Sequence, residues 1–123
     1  MTQFTVGAVI DENGNACPVK TAFANVAAST TDGVVVAAVA GKRIRVLGLV
    51  AQAGGTATTL VFNSKPAGAG TAVSLTFQNA ANGGASVSAP AGGFLFQTNA
   101  GEGLSATTGA GSTTGVQVAY IEA

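Results

Sequence analysis

From Val19 onward, glycine-, proline- or asparagine-rich breaks recur about every ten residues, and this spacing constrains the fold more than any other feature. The breaks include Ser29-Thr30-Thr31-Asp32-Gly33, Gly54-Gly55, Asn82-Gly83-Gly84 and Gly109-Ala110-Gly111-Ser112. A stable helix needs a longer uninterrupted amphipathic run than such spacing leaves. The intervening segments are short and rich in Val, Thr, Ile and Phe, which suit a pleated, half-buried surface. They are Lys20–Ala28, Val34–Ala40, Lys42–Ala53, Ala57–Asn63, Thr71–Phe77, Ala85–Ser88, Phe94–Thr98, Leu104–Thr108 and Gly115–Ile121. The pattern predicts an all-β chain: an antiparallel β-sandwich, jelly roll or small barrel of about eight strands. Alanine pairs such as Ala27-Ala28 and Ala80-Ala81 sit beside Thr, Ser or Asn and build no helical stripe.

The segment Gly41–Ala53 reads as a central strand. Side chains alternate between the faces of a strand, so Ile44, Val46 and Val50 should share one face. Arg43, Arg45, Leu47 and Leu49 should share the other, which begins with two guanidinium groups and turns apolar from Leu47. The expected core consists of the six Phe together with Ile44, Val46, Leu60, Leu75, Leu104, Val116, Val118 and Ile121. Val73, Leu75 and Phe77 are expected on one strand face.

At 123 residues the chain can build one core and not two. Only 8% of its residues are charged, about a third of the roughly 25% usual in globular domains. The net charge is zero, which removes electrostatic steering toward nucleic acid or anionic lipid. Mean hydropathy is +0.45, a value that exposes a lone monomer to self-association. Glycine raises the entropy of the unfolded chain, so the isolated subunit should be marginal. Much of its surface is therefore expected to be covered by other chains.

Residues 1–18 read as an N-terminal arm, separate from a sandwich domain over residues 19–123. Phe4, Val6, Val9 and Ile10 are extended-type residues ahead of a turn at Asp11-Glu12-Asn13-Gly14-Asn15. Pro18 then restricts Cys17 to extended conformations. With one cysteine there is no intramolecular disulfide, and Cys17 is expected to be a small, semi-buried residue. The first residues lack the basic start and sustained apolar stretch of a secretory signal, so synthesis in the cytoplasm is expected. No apolar run reaches membrane-spanning length.

The residues argue against catalysis. There is no histidine and one cysteine, too few for a zinc site or a nucleophile–histidine pair. The five acids, Asp11, Glu12, Asp32, Glu102 and Glu122, show no spacing that pairs two carboxylates. Gly101-Glu102-Gly103 and Gly109-Ala110-Gly111 precede strands, whereas a phosphate cradle needs a helix behind its glycines. No enzyme activity, metal or cofactor is expected. The one basic cluster, Lys42, Arg43 and Arg45, is expected to face solvent or to pair with Glu102 or Glu122, in the same chain or a neighbour. Arg43, Arg45, Leu47, Leu49, Glu102 and Glu122 are accordingly the candidate subunit-interface residues.

Four segments carry a family resemblance: Ala37–Val46 (AAVAGKRIRV), Leu60–Ser64 (LVFNS), Thr98–Leu104 (TNAGEGL) and Val116–Glu122 (VQVAYIE). In this order, across roughly residues 19–123, they resemble the small β-rich virion proteins of tailed bacteriophages, the capsid decoration (cement) and head-fibre-like proteins. The resemblance implies a jelly-roll or sandwich subunit that forms homotrimers and binds the major capsid protein on the outer surface of the head, with no nucleic-acid or membrane partner. It implies a virion location. The arm lies outside the resemblance, and Phe4, Val6, Val9 and Ile10 are its candidate capsid contacts. A tail or head fibre module that attaches to host glycans is the alternative.

Overall fold

The computed structural model describes residues 7–123, and Phe4 and Val6 of the expected contact arm lie outside them. Twelve strands and no helix make up the described residues. A hairpin of β1 (Ala8–Ile10) and β2 (Ala16–Pro18) stands as its own two-stranded sheet. The rest forms two antiparallel sheets. One runs β3 (Lys20–Val26), β12 (Thr114–Glu122), β5 (Ile44–Ala53), with β9 (Gly84–Ser88) and β10 (Phe96–Gln97) sharing the far edge of β5. The other runs β4 (Gly33–Val36), β11 (Gly103–Thr108), β6 (Thr58–Lys65), with β7 (Thr71–Ala72) and β8 (Phe77–Asn79) sharing the far edge of β6. From β3 to β6 the chain alternates between the sheets; β7 and β8 then stay in the second, β9 and β10 lie in the first, β11 is in the second, and β12 returns between β3 and β5. This order is consistent with a jelly roll.

The inner faces of both sheets supply the core. Ile44, Val46, Leu49, Val116 and Val118 come from the first sheet, and Leu60, Phe62, Leu104 and Ala106 from the second. Phe62 sits at the centre, edge-on to Phe77 and stacked on Phe96 with centroids 6.2 and 5.4 Å away.

Three expectations about side-chain placement are corrected. First, the alternation in β5 does not run through. Tyr120 pairs with Val46 and Ala119 with Gly48, so Leu47 is an unpaired extra residue, a β-bulge. The bulge reverses parity: Ile44 and Val46 point inward before it, Leu49 and Ala51 after it, and Val50 is left exposed. Second, Thr71–Phe77 is not one strand. Val73 donates its N–H to Phe62 O, and the Ser74 hydroxyl takes the Phe62 N–H at 2.9 Å, which interrupts the ladder between β7 and β8. Leu75 is thrown outward at 67% exposure. Third, only Phe62 of the described Phe residues is fully buried; Phe23 and Phe94 are exposed and Phe77 and Phe96 half-buried.

Close approach explains one glycine in particular. A Cβ at Gly84 would collide with the Ala51 carbonyl oxygen, so β9 can lie against β5 only without a side chain there.

Candidate functional site

One end of the sandwich is closed by a polar clasp. The Thr98 hydroxyl, almost wholly buried, accepts the Ile44 N–H at 2.9 Å and donates to Glu102 O at 2.9 Å. The Ser64 hydroxyl donates to Glu102 Oε1 at 2.7 Å and accepts the Asn99 N–H at 2.9 Å. Gly101, at φ 78°, makes the turn between them and donates to Lys42 O. These bonds tie the start of β5, the end of β6 and the start of β11, and so hold one sheet to the other. Ser64, Thr98 and Glu102 all lie in segments that carry the family resemblance. Their part here is to fix the fold.

The basic cluster separates. Lys42 is exposed. Arg43 Nη1 donates to Thr98 O at 3.3 Å, and its main chain exchanges two hydrogen bonds with Ala123. Arg45 is buried against the hairpin: its Nη1 lies 3.0 Å from Glu12 Oε2, its Nε donates to Gln97 Oε1 at 3.1 Å, and its guanidinium stands 4.6 Å over the Phe94 ring. The Arg45 hydrogen bond holds the Glu12 carboxyl below its ordinary pKa. The expected pairing of this cluster with Glu102 or Glu122 does not form within the chain. Glu102 is bound to Ser64, and Glu122 to Lys20 at 2.7 Å. The sequence could not reveal Glu12 as the partner, because it lies in a separate hairpin.

The bulge decides the remaining interface candidates. Leu49 is 4% exposed and packs in the core, where it also forms the floor of an apolar cleft. Leu47 is half-buried and, with Val9, Ile10 and Phe94, lines a shallow recess beside Arg45.

The hairpin is built around Asp11, whose Oδ1 accepts the N–H groups of Asn13 and Asn15 at 2.9 and 2.8 Å. The Asn15 backbone bond is the main reason its carboxyl lies below the ordinary value. Gly14, at φ 80°, completes the turn. Cys17 is buried; burial, and then the Asp11 charge beside it, push the thiol up and keep it protonated. Val9 is half-buried, whereas Ile10 at the arm's edge is 63% exposed.

Two further apolar surfaces escaped the sequence reading. On the outer face of the first sheet, Phe23, Gln117, Val50 and Ser86 form one cross-strand row, with Phe23 77% exposed. A signal was present: Phe23 shares its parity with Thr21 and Asn25, while Ala22 and Ala24 pack inward. At the opposite edge a cleft of about 500 Å3 opens between β7–β8 and β9–β10, lined by Leu49, Val73, Leu75, Val87, Leu95 and Phe96, among others.

All five carboxylates have structural partners, Asp32 being held by Asn63, Ser105 and the Gly70 N–H. Among the described residues no three of His, Cys, Asp and Glu come together as metal ligands, and no helix is long and apolar enough to cross a membrane. Comparison with protein-family models, curated proteins and solved structures returned no match.

Proposed function

We propose that this chain is a structural subunit of a bacteriophage virion, a capsid decoration (cement) protein. In this reading it forms homotrimers and binds the outer surface of the major capsid protein lattice. One observation carries it: large apolar side chains are exposed on four separate surfaces, at Ile10 and Phe94, at Phe23 and Val50, at Leu75 and Val87, and at Val34 on the edge strand β4. A subunit that met a single partner would need one such surface. A lattice protein needs several, some for sister copies and some for the shell. Burying each side chain contributes about 1.5–3 kcal/mol, and three linked arms convert modest contacts into avidity.

The hairpin suits the shell contact. It is a distinct sheet, anchored by Arg45 and Glu12, and it carries exposed Ile10 on its edge. The test is occupancy of purified, expanded phage heads, read by cryo-electron microscopy, for the full chain and for a chain lacking residues 1–18. The full chain should decorate the heads, while the truncated chain should remain a trimer and leave them bare. Undecorated heads with the full chain, or equal occupancy by both, would overturn the reading. A positive glycan array with no head binding would replace it by a fibre module that attaches to host glycans.

A further inference from the structure

Two apolar surfaces of the sandwich differ in shape and lie at opposite edges of one sheet. β3 is the edge on one side, and β9 and β10 form the edge on the other. From β3 the Phe23 ring projects beside an open recess that it lines with Val50 and Gln117; the cross-strand rows on either side of it contain only Thr, Asn, Ala, Gly, Gln and Ser. At the far edge the cleft is concave, with Leu75 and Val87 the more exposed of its lining residues and Leu49 the most buried. Its volume of about 500 Å3 lies in the range of pockets that enclose small organic groups, so an aromatic ring can enter.

We propose that copies of this chain pack head to tail through these surfaces, with Phe23 of one copy seated in the Leu75–Val87 cleft of the next. Shape and charge together point to a second copy as the occupant: one chain carries both an exposed aromatic ring and an apolar cleft that can take one. The chain has five basic and five acidic residues, and none lies in the Phe23 rows or in the cleft lining. Two identical molecules therefore meet here without like-charge repulsion and without an ion to desolvate. A charged partner would find nothing to pair with. A small apolar ligand would fill the cleft but leave the Phe23 ring bare.

Location supports the same occupant. Knob and cleft are different patches, so the contact is heterologous, and a heterologous contact closes into a ring where the rotation between copies permits. Three copies would bury three Phe23 rings and three clefts, leaving the hairpins free. The inference rests on the trimer of the proposed function and specifies how that trimer is made; it does not depend on the capsid.

The test uses the full chain at micromolar concentration, with mass read by light scattering and native mass spectrometry. The wild type should be trimeric. Phe23→Ser and Leu75→Ser should each raise the assembly midpoint on the order of tenfold or more, as loss of a central anchor does. Both residues are exposed, so the variant monomers should stay folded, melting where wild type diluted below its assembly midpoint melts. Mixing the two variants should yield heterodimers, because one retains the knob and the other the cleft. In a Cys17→Ser background, the double substitution Asn25→Cys with Ala72→Cys, one beside the ring and one on the rim of the cleft with both anchors kept, should trap disulfide-linked copies on oxidation, a readout that does not depend on weakening the contact. Variants that assemble like wild type, a mixture that stays monomeric, or no trapping would overturn the contact while leaving a trimer standing. A monomeric wild type would remove the trimer itself; head occupancy remains a separate measurement.

Discussion

Arg45 and Glu12 are joined by an ion pair of 3.0 Å in which the guanidinium side chain is only 9% exposed and the carboxylate is 64% exposed. The asymmetry shows how the arm is held. The cation belongs to the sandwich, fixed between Gln97 and Phe94, and the anion arrives on a hairpin that can leave without disturbing the core. Departure of the hairpin breaks this charge-assisted hydrogen bond and uncovers the stem of Arg45, which makes it unfavourable.

Glu12→Gln should loosen the hairpin while the sandwich keeps its melting temperature. Cys17 provides the readout, because it is buried under the hairpin turn and its thiol is pushed up. The variant should react with a pyridyl disulfide several-fold faster than wild type, in the manner of a local opening. Equal rates would show that the ion pair does not hold the arm.

Acid should release the arm before it unfolds the domain. Glu12 and Asp11 both have folded-state pKa values below their unfolded ones, so their contribution is complete above the ordinary carboxylate range. It is lost as pH falls through the depressed values. Cys17 labelling with a reagent that works in acid should rise in that window, ahead of any loss of β-sheet circular dichroism. Simultaneous loss of both signals would contradict this order.

Thr98→Val should destabilise the domain by about 1–3 kcal/mol, because the swap keeps the shape and leaves the Ile44 N–H and the Glu102 carbonyl unpaired. Denaturant unfolding measures the change. Ser64→Ala should act in the same direction through the Glu102 carboxylate and the Asn99 N–H.

Deleting Leu47 should be tolerated, whereas deleting Val50 should not. Without Leu47, Val46 and Gly48 become consecutive opposite Tyr120 and Ala119, and plain alternation still turns Val46, Leu49 and Ala51 inward. Without Val50, either Leu49 turns outward or Gln52 takes the inward position of Ala51. A soluble, cooperative Leu47 deletion is expected beside an insoluble Val50 deletion; an unfolded Leu47 deletion would show that the bulge does more than set the faces of β5.

Phe62→Ala should cost about 3–5 kcal/mol, since the ring is fully buried and contacts both Phe77 and Phe96. Set against the usual marginal stability of a domain this size, the variant should be partly unfolded at room temperature by circular dichroism.

By itself the sequence determined that the chain is all β, where most strands begin and end, and that the Asp11–Asn15 segment turns. These properties are local: period-two alternation, β-branched residues and glycine-bearing turns act over a few residues and leave their mark in order along the chain. What lies beyond that reach was decided only in three dimensions. One unpaired residue at Leu47 sends Leu49 into the core and Val50 out, and nothing in the string distinguishes a bulge from a continuous strand. Arg45 takes Glu12 and not Glu102 or Glu122, because ion pairing follows which elements come side by side. Leu75 is large and apolar and alternates with Val73 and Phe77, so pattern assigns it to the core, yet the break at Ser74 places it outside. Burial is a property of the packed pair of sheets, and a side chain's hydrophobicity states only what it would gain if some surface, its own or another copy's, were there to cover it.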